Sequence, residues 1–139
     1  MLGRWEVMDR RRDGEWQHVG QREYDAYLAG QLNRAVDVAS ETGAKVTLLT
    51  APYYSRERPD GGHFPEDDEV RADRYNAVLR EVAARRDIPV IELGAALSPE
   101  GHFAKHINGT LVRYDGVHIS PAGCRLLRPW LLRQLQAVR

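Results

Sequence analysis

Cysteine is almost absent: Cys124 stands alone in a chain of 139 residues, so no internal disulfide can form and the redox compartment is not revealed. Lysine is nearly as scarce, with only Lys45 and Lys105, and arginine supplies the remaining positive charge. The arginines are scattered rather than clustered and read as compositional bias, not as a binding patch. Net charge is lacking altogether. The 20 basic residues are matched by 20 acidic ones, which leaves no overall field to draw nucleic acid or anionic lipid. No apolar run approaches transmembrane length, and Met1-Leu2-Gly3-Arg4 lacks the order of a signal peptide. The chain therefore reads as soluble, with no nucleic-acid partner and no direct membrane insertion. Repeats, low-complexity stretches and linkers are also missing. Residues 1–139 read as a single domain, and 42% hydrophobic residues suffice for a core.

What is present alternates between helical and extended patterns. Residues 9–20 are polar, with Gly14 and Gly20, and read as a loop. Tyr24, Leu28, Leu32, Ala35, Val36 and Ala39 recur at helical spacing over 21–42, with Gly43 as the residue that ends the helix. Lys45 to Thr50 is β-branched and apolar, the pattern of a buried parallel strand. Ala51 to Asp68 carries three prolines and paired glycines and reads as a long functional or mobile loop. A second helix is predicted over 69–86, with Val70, Val78, Leu79, Val82 and Ala83 facing inward. Pro89 to Leu93 reads as a second strand, and Asn108-Gly109 joins 104–107 to 110–114 as a hairpin. The last helix covers 121–137 and turns Leu126, Leu127, Trp130, Leu131 and Leu135 inward. This order implies an α/β fold with parallel strands, whose ligands bind beyond the carboxyl ends of the strands.

Asp115-Gly116-Val117-His118 is the segment that carries chemistry. A carboxylate three residues before a histidine can fix its tautomer and stabilise the imidazolium that forms on protonation. Ser120 as N-cap and Pro121 as first helical residue would set the histidine on a rigid corner. The same segment also reads as a turn followed by a packing histidine. No nucleophile accompanies the pair. Ser40 lies on a helix, Ser98 in a turn, and Ser120 is explained as a cap. Ser55 leaves the right end of a strand but has no Gly-x-Ser-x-Gly or Gly-Asp-Ser context. His102 and His106 are spaced i, i+4, which suits zinc only on a helix, and the hairpin reading speaks against that, so neither metal nor cofactor is expected. Tyr53, Tyr54 and Arg113 read either as lining for a sugar or acyl pocket or as packing.

The Asp-x-x-His at the head of the last helix resembles the last block of the SGNH (GDSL-like) hydrolases. Thr50-Ala51-Pro52, Arg74-Tyr75-Asn76-Ala77-Val78-Leu79 and Gly3-Arg4-Trp5-Glu6-Val7 with Asp9-Arg10 are similar to the branch fused to membrane O-acyltransferases of acyltransferase family 3. The resemblance implies a three-layer α/β/α flavodoxin-like fold with a parallel sheet, of which this chain carries the later part. It implies serine-based acyl transfer on small acyl esters, such as O-acetyl groups of glycans, with His118 as base and then acid and Asp115 as its orienter. Gly3, Trp5 and Glu6 fall where the family places an oxyanion block, with Trp5 in the slot of an asparagine. These three, with Tyr53 and Arg113, are the expected substrate-side residues. The family's serine and oxyanion glycine would lie before Met1, and its domains work outside the cytoplasmic membrane.

That placement leaves a physical problem. Both strands read as buried on two faces, yet one sheet edge would be open and apolar. The expectation is a chain that extends upstream of Met1, since Gly3 stands where a strand should have ended. The alternatives are a partner chain or second copy that completes the sheet, or a remnant that folds poorly. A non-catalytic domain that binds an acylated carbohydrate or a protein is the other functional reading.

Overall fold

The computed structural model describes residues 3–138. It is a mixed α/β chain with four α-helices and three two-stranded sheets among the described residues.

The first element was not expected. Residues 9–20, read as a loop, form an antiparallel hairpin, β1 (Arg10–Arg12) with β2 (Glu15–Gln17). Asp13 and Gly14 close it with φ of 51° and 87°, the left-handed pair that a two-residue hairpin turn demands. Helix α1 (Arg22–Ser40) follows. The Gly20 amide donates to Asp25 Oδ1 at 2.8 Å, which places a carboxylate near the positive end of the helix. Tyr24, Leu28, Leu32 and Val36 are buried, as the helical spacing predicts.

Strand β3 is shorter than the pattern predicts. Of Lys45–Thr50 only Leu48–Leu49 is extended and paired, in parallel with β4 (Val90–Ile91). Leu48 N–H donates to Pro89 O and Thr50 N–H to Ile91 O, each at 3.0 Å. The strand is also less buried than expected: Leu49 is 36% exposed, because only one side of β3 is paired. Helix α2 (Glu69–Arg85) is capped by Asp68, which accepts from Val70 N–H. Val78, Leu79, Val82 and Ala83 are buried as expected, whereas Val70, in the first turn beside the cap, is exposed. The reading of Pro89–Leu93 as strand is corrected at its end, where α3 (Leu93–Leu97) begins.

β5 (His106–Ile107) and β6 (Thr110–Leu111) make the predicted hairpin about Asn108-Gly109. Helix α4 (Pro121–Ala137) begins as predicted, with Ser120 accepting from Gly123 N–H at 2.9 Å. Its predicted inner face is only partly covered. Leu127 is buried and Trp130 and Leu131 are half-buried, but Leu126 and Leu135 are exposed. The main core joins α1 and α2 to Val7, Val19 and Ala51, while Leu93, Leu97 and Leu127 form a smaller one beneath α4. No helix of the described residues is long and apolar enough to cross a membrane.

Candidate functional site

The carboxyl end of β3 opens into the long loop 51–68, and the loop 112–120 crosses against it. Arg113 and Ile119 form an antiparallel bridge, and Ser120 N–H donates to Val112 O, so Tyr114–His118 is a tight excursion between two fixed points. Gly116 makes its turn possible. Its φ is 81°, and a Cβ there would overlap the Ser55 carbonyl oxygen, so only glycine lets the two loops approach this closely. Ser55 N–H donates to Gly116 O at 3.2 Å.

Inside this turn Asp115 collects three donors. Oδ1 accepts the amides of Val117 at 3.0 Å and His118 at 2.7 Å, and Oδ2 accepts from His118 Nδ1 at 2.7 Å. An ionised carboxylate has no proton to give, so Nδ1 carries the hydrogen of this bond, and loss of the other ring proton frees Nε2 as an acceptor. Partial burial alone would raise the Asp115 carboxyl. The hydrogen bonds from the His118 ring, the His118 and Val117 amides, and the charge of the ring outweigh it and hold that carboxyl well below the usual carboxylate range. Tyr114 stacks near the imidazole, with centroids 6.0 Å apart. The ring remains two-thirds exposed, so Nε2 is open to an incoming proton donor.

No serine hydroxyl among the described residues is hydrogen-bonded to His118. Ser40 bonds back to α1 carbonyls, Ser120 is spent on the α4 cap, and Ser98 is buried without a partner. Ser55 meets the histidine loop through its backbone.

The expected substrate-side residues divide between places. Gly3 is buried with φ 131°, packs on Ala51 and Tyr54, and donates its amide to Glu6 Oε2 at 2.6 Å. Trp5 is exposed beneath the Arg10 guanidinium, and Trp5 and Glu6 line a separate cavity over α1. Tyr53 donates to Asp73 Oδ1 at 2.7 Å, and this bond, with some burial, pushes its phenol up to about 12. Arg113 is completely buried. Its Nη1 donates to the carbonyls of Tyr53 and Val117, each at 3.3 Å, and so ties the loop after β3 to the histidine loop. Burial lowers the affinity of that guanidinium for its proton.

Two further features escape the sequence reading. Asn76, deep in α2, grips both the N–H and the C=O of Ala51 at 2.8 Å and fixes the exit of β3. Arg4 bridges Glu66 and Asp67 at 2.8 Å each, with all three side chains nearly buried. The sequence separation hides the second of these, since nothing local at Arg4 points to acids more than 60 residues away. His102 and His106 do not form a helical pair: His102 bonds Glu69 at 2.8 Å, and His106 lies in β5. Among the described residues no three metal-ligating side chains converge.

Compared with known proteins, the chain matches no family model and no curated protein.

Proposed function

We propose that this chain is the acid–base half of an SGNH-type serine hydrolase, acting in acyl transfer on small acyl esters such as the O-acetyl groups of glycans. The observation that carries the reading is the Asp115–His118 pair. Its 2.7 Å bond to Nδ1 leaves an exposed Nε2 to take a proton from a hydroxyl and return it to the leaving group. Gly3 lies beside the exit of β3, but its amide is engaged by Glu6 Oε2 at 2.6 Å, so an oxyanion donor on this reading must come from elsewhere. On this reading β3 and β4 belong to a three-layer flavodoxin-like sheet. The attacking serine comes from a segment other than those described, whether of the same polypeptide or of a partner that completes the sheet. Function in the domains it resembles is extracytoplasmic.

The test has two arms on the 139-residue protein. Long-range ¹H–¹⁵N spectra of His118 are expected to show the Nδ1–H tautomer, with the preference lost in Asp115→Asn. With the serine elsewhere, hydrolysis of 4-nitrophenyl acetate above the buffer rate would come from His118 acting as base on water, and it is expected to disappear in His118→Ala without loss of fold. Unchanged hydrolysis in His118→Ala would remove the histidine from the chemistry, and no hydrolysis by the folded parent would favour a domain that only binds acylated carbohydrate or protein.

A further inference from the structure

A cavity lined by α1 and the β1 hairpin strand lies away from the dyad and shares no residue with it. Its volume is about 500 Å³, within the range of small-molecule sites. Tyr24, Leu28, Leu32 and Ala35 form one stripe of α1 along it, which extends about 16 Å at the helical rise. The opposite wall is the β1 hairpin strand, Arg10–Arg12, with Trp5 and Glu6 at one end. The lining therefore joins an apolar and aromatic stripe to a polar, cationic wall in nearly equal parts.

Two observations point to what would fill it. Arg10, Arg11 and Arg12 have no carboxylate within salt-bridge distance among the described residues; their hydrogen bonds go to the neutral oxygens of Trp5, Gly14 and Gln17. The lone carboxylate of the cavity, Glu6, is turned onto the Gly3 amide at 2.6 Å. Arg12 lies flat over the Tyr27 ring at 3.7 Å from its centroid, with its guanidinium held at the tyrosine end of the α1 stripe. Independently, Tyr75 lines the cavity at 1% exposure with a hydroxyl that has no partner among the described residues. A buried donor of this kind calls for an acceptor oxygen.

We infer that this channel binds a single-chain anionic amphiphile, of the class of a medium-chain fatty carboxylate. The head lies among the hairpin arginines, with the Tyr75 hydroxyl as a further donor. The tail runs over Leu28 and Leu32 toward Ala35. Charge complementarity selects the sign of the head, and the length of the apolar stripe selects an extended tail over a compact one.

Tryptophan fluorescence of the intact chain, with Trp5 at the cavity, follows a titration with dodecanoate below its micelle concentration. Saturable one-to-one binding is expected, with dodecyltrimethylammonium weaker by about tenfold or more, because it forfeits the charge-assisted hydrogen bonds. Octanoate is expected to bind more weakly than dodecanoate. Arg10→Gln with Arg12→Gln should erase the preference for the anion. Ala35 is exposed, so Ala35→Trp plugs the tail end without disturbing the core, and it should abolish binding with unchanged far-ultraviolet circular dichroism. Equal affinity for both head groups, or full binding by Ala35→Trp, overturns the inference. So does sedimentation with phosphatidylglycerol vesicles in place of saturable monomer binding, since that assigns the arginines to a membrane surface.

Discussion

Gly116 holds two loops together by having no side chain, and that makes it the most exacting single position near the dyad. A methyl group there meets the Ser55 carbonyl as well as a left-handed backbone. Gly109 has a similar φ of 75°, but the space a Cβ would occupy there is open, with nothing within 4 Å. Gly109→Ala should thus cost about 1 kcal/mol, the backbone term alone, and Gly116→Ala more than about 2 kcal/mol. Urea unfolding of the two variants checks the difference, and equal losses would mean that the loops are not in contact. Asp115 adds a pH signature. Its carboxyl is depressed in the folded chain, so its contribution is present above the unfolded carboxylate value and is lost as pH falls toward the lower folded value. Asp115→Asn is expected to lower Tm at pH 7, and the gap to the parent should close progressively on acidification below about pH 4, near the unfolded carboxylate value. A gap independent of pH would detach the stabilisation from the ionised carboxylate. The Asp-x-x-His pair was legible in the sequence because its two members are three residues apart. The burial of Arg113 was not legible, because it depends on carbonyls delivered by Tyr53 and by a turn of the loop itself.

At the scale of elements, legibility followed the length and period of each pattern. The three long helices lie within two residues of their predicted ends, since each presents several turns of apolar spacing and a recognisable start or stop. The Asp13-Gly14 hairpin was missed although its turn signal is strong, because β1 is a run of arginines with no alternation to mark it as a strand. The strands β3 and β4 were found, but their burial was overstated: an apolar run reports what a strand is suited to, not how many neighbours it has. What fixes β3 is Asn76, whose amide serves both polar groups of Ala51 at once. Asn76→Ala removes both partners inside the core and is expected to cost about 2–4 kcal/mol, the penalty of buried groups left unpaired. Ser120→Ala removes the cap and a bond to the Leu111 carbonyl and should cost about 1–2 kcal/mol. Thermal unfolding of the pair ranks them, and a smaller loss for Asn76→Ala would show that Ala51 finds other partners.

Across the whole molecule, the segment at Gly3–Glu6, the long loop and the histidine loop are joined in series. Arg4 holds Glu66 and Asp67, Asp67 Oδ2 also accepts the Arg56 amide at 3.0 Å, and the neighbouring Ser55 amide meets Gly116. The prolines and glycines of 51–68 would leave that loop free to wander, yet a nearly buried arginine with two carboxylates pins it. Removing the cation from such a cluster leaves two desolvated negative charges facing each other, a loss of about 3–5 kcal/mol. Replacing all three by apolar residues of similar volume removes the charges as well as the attraction, and the same reasoning makes that change far milder. Arg4→Met alone is therefore expected to be strongly destabilising, and Arg4→Met with Glu66→Leu and Asp67→Leu to regain much of the loss. Hydrogen exchange at the Ser55 and His118 amides, bonded to Gly116 O and Asp115 Oδ1, gives the second readout: faster exchange in the single variant, well below the denaturation midpoint, would show that the clamp holds the dyad loop through 51–68. Protection at both amides in an Arg4→Met protein that is otherwise destabilised would confine Arg4 to general stability and break the series at Asp67.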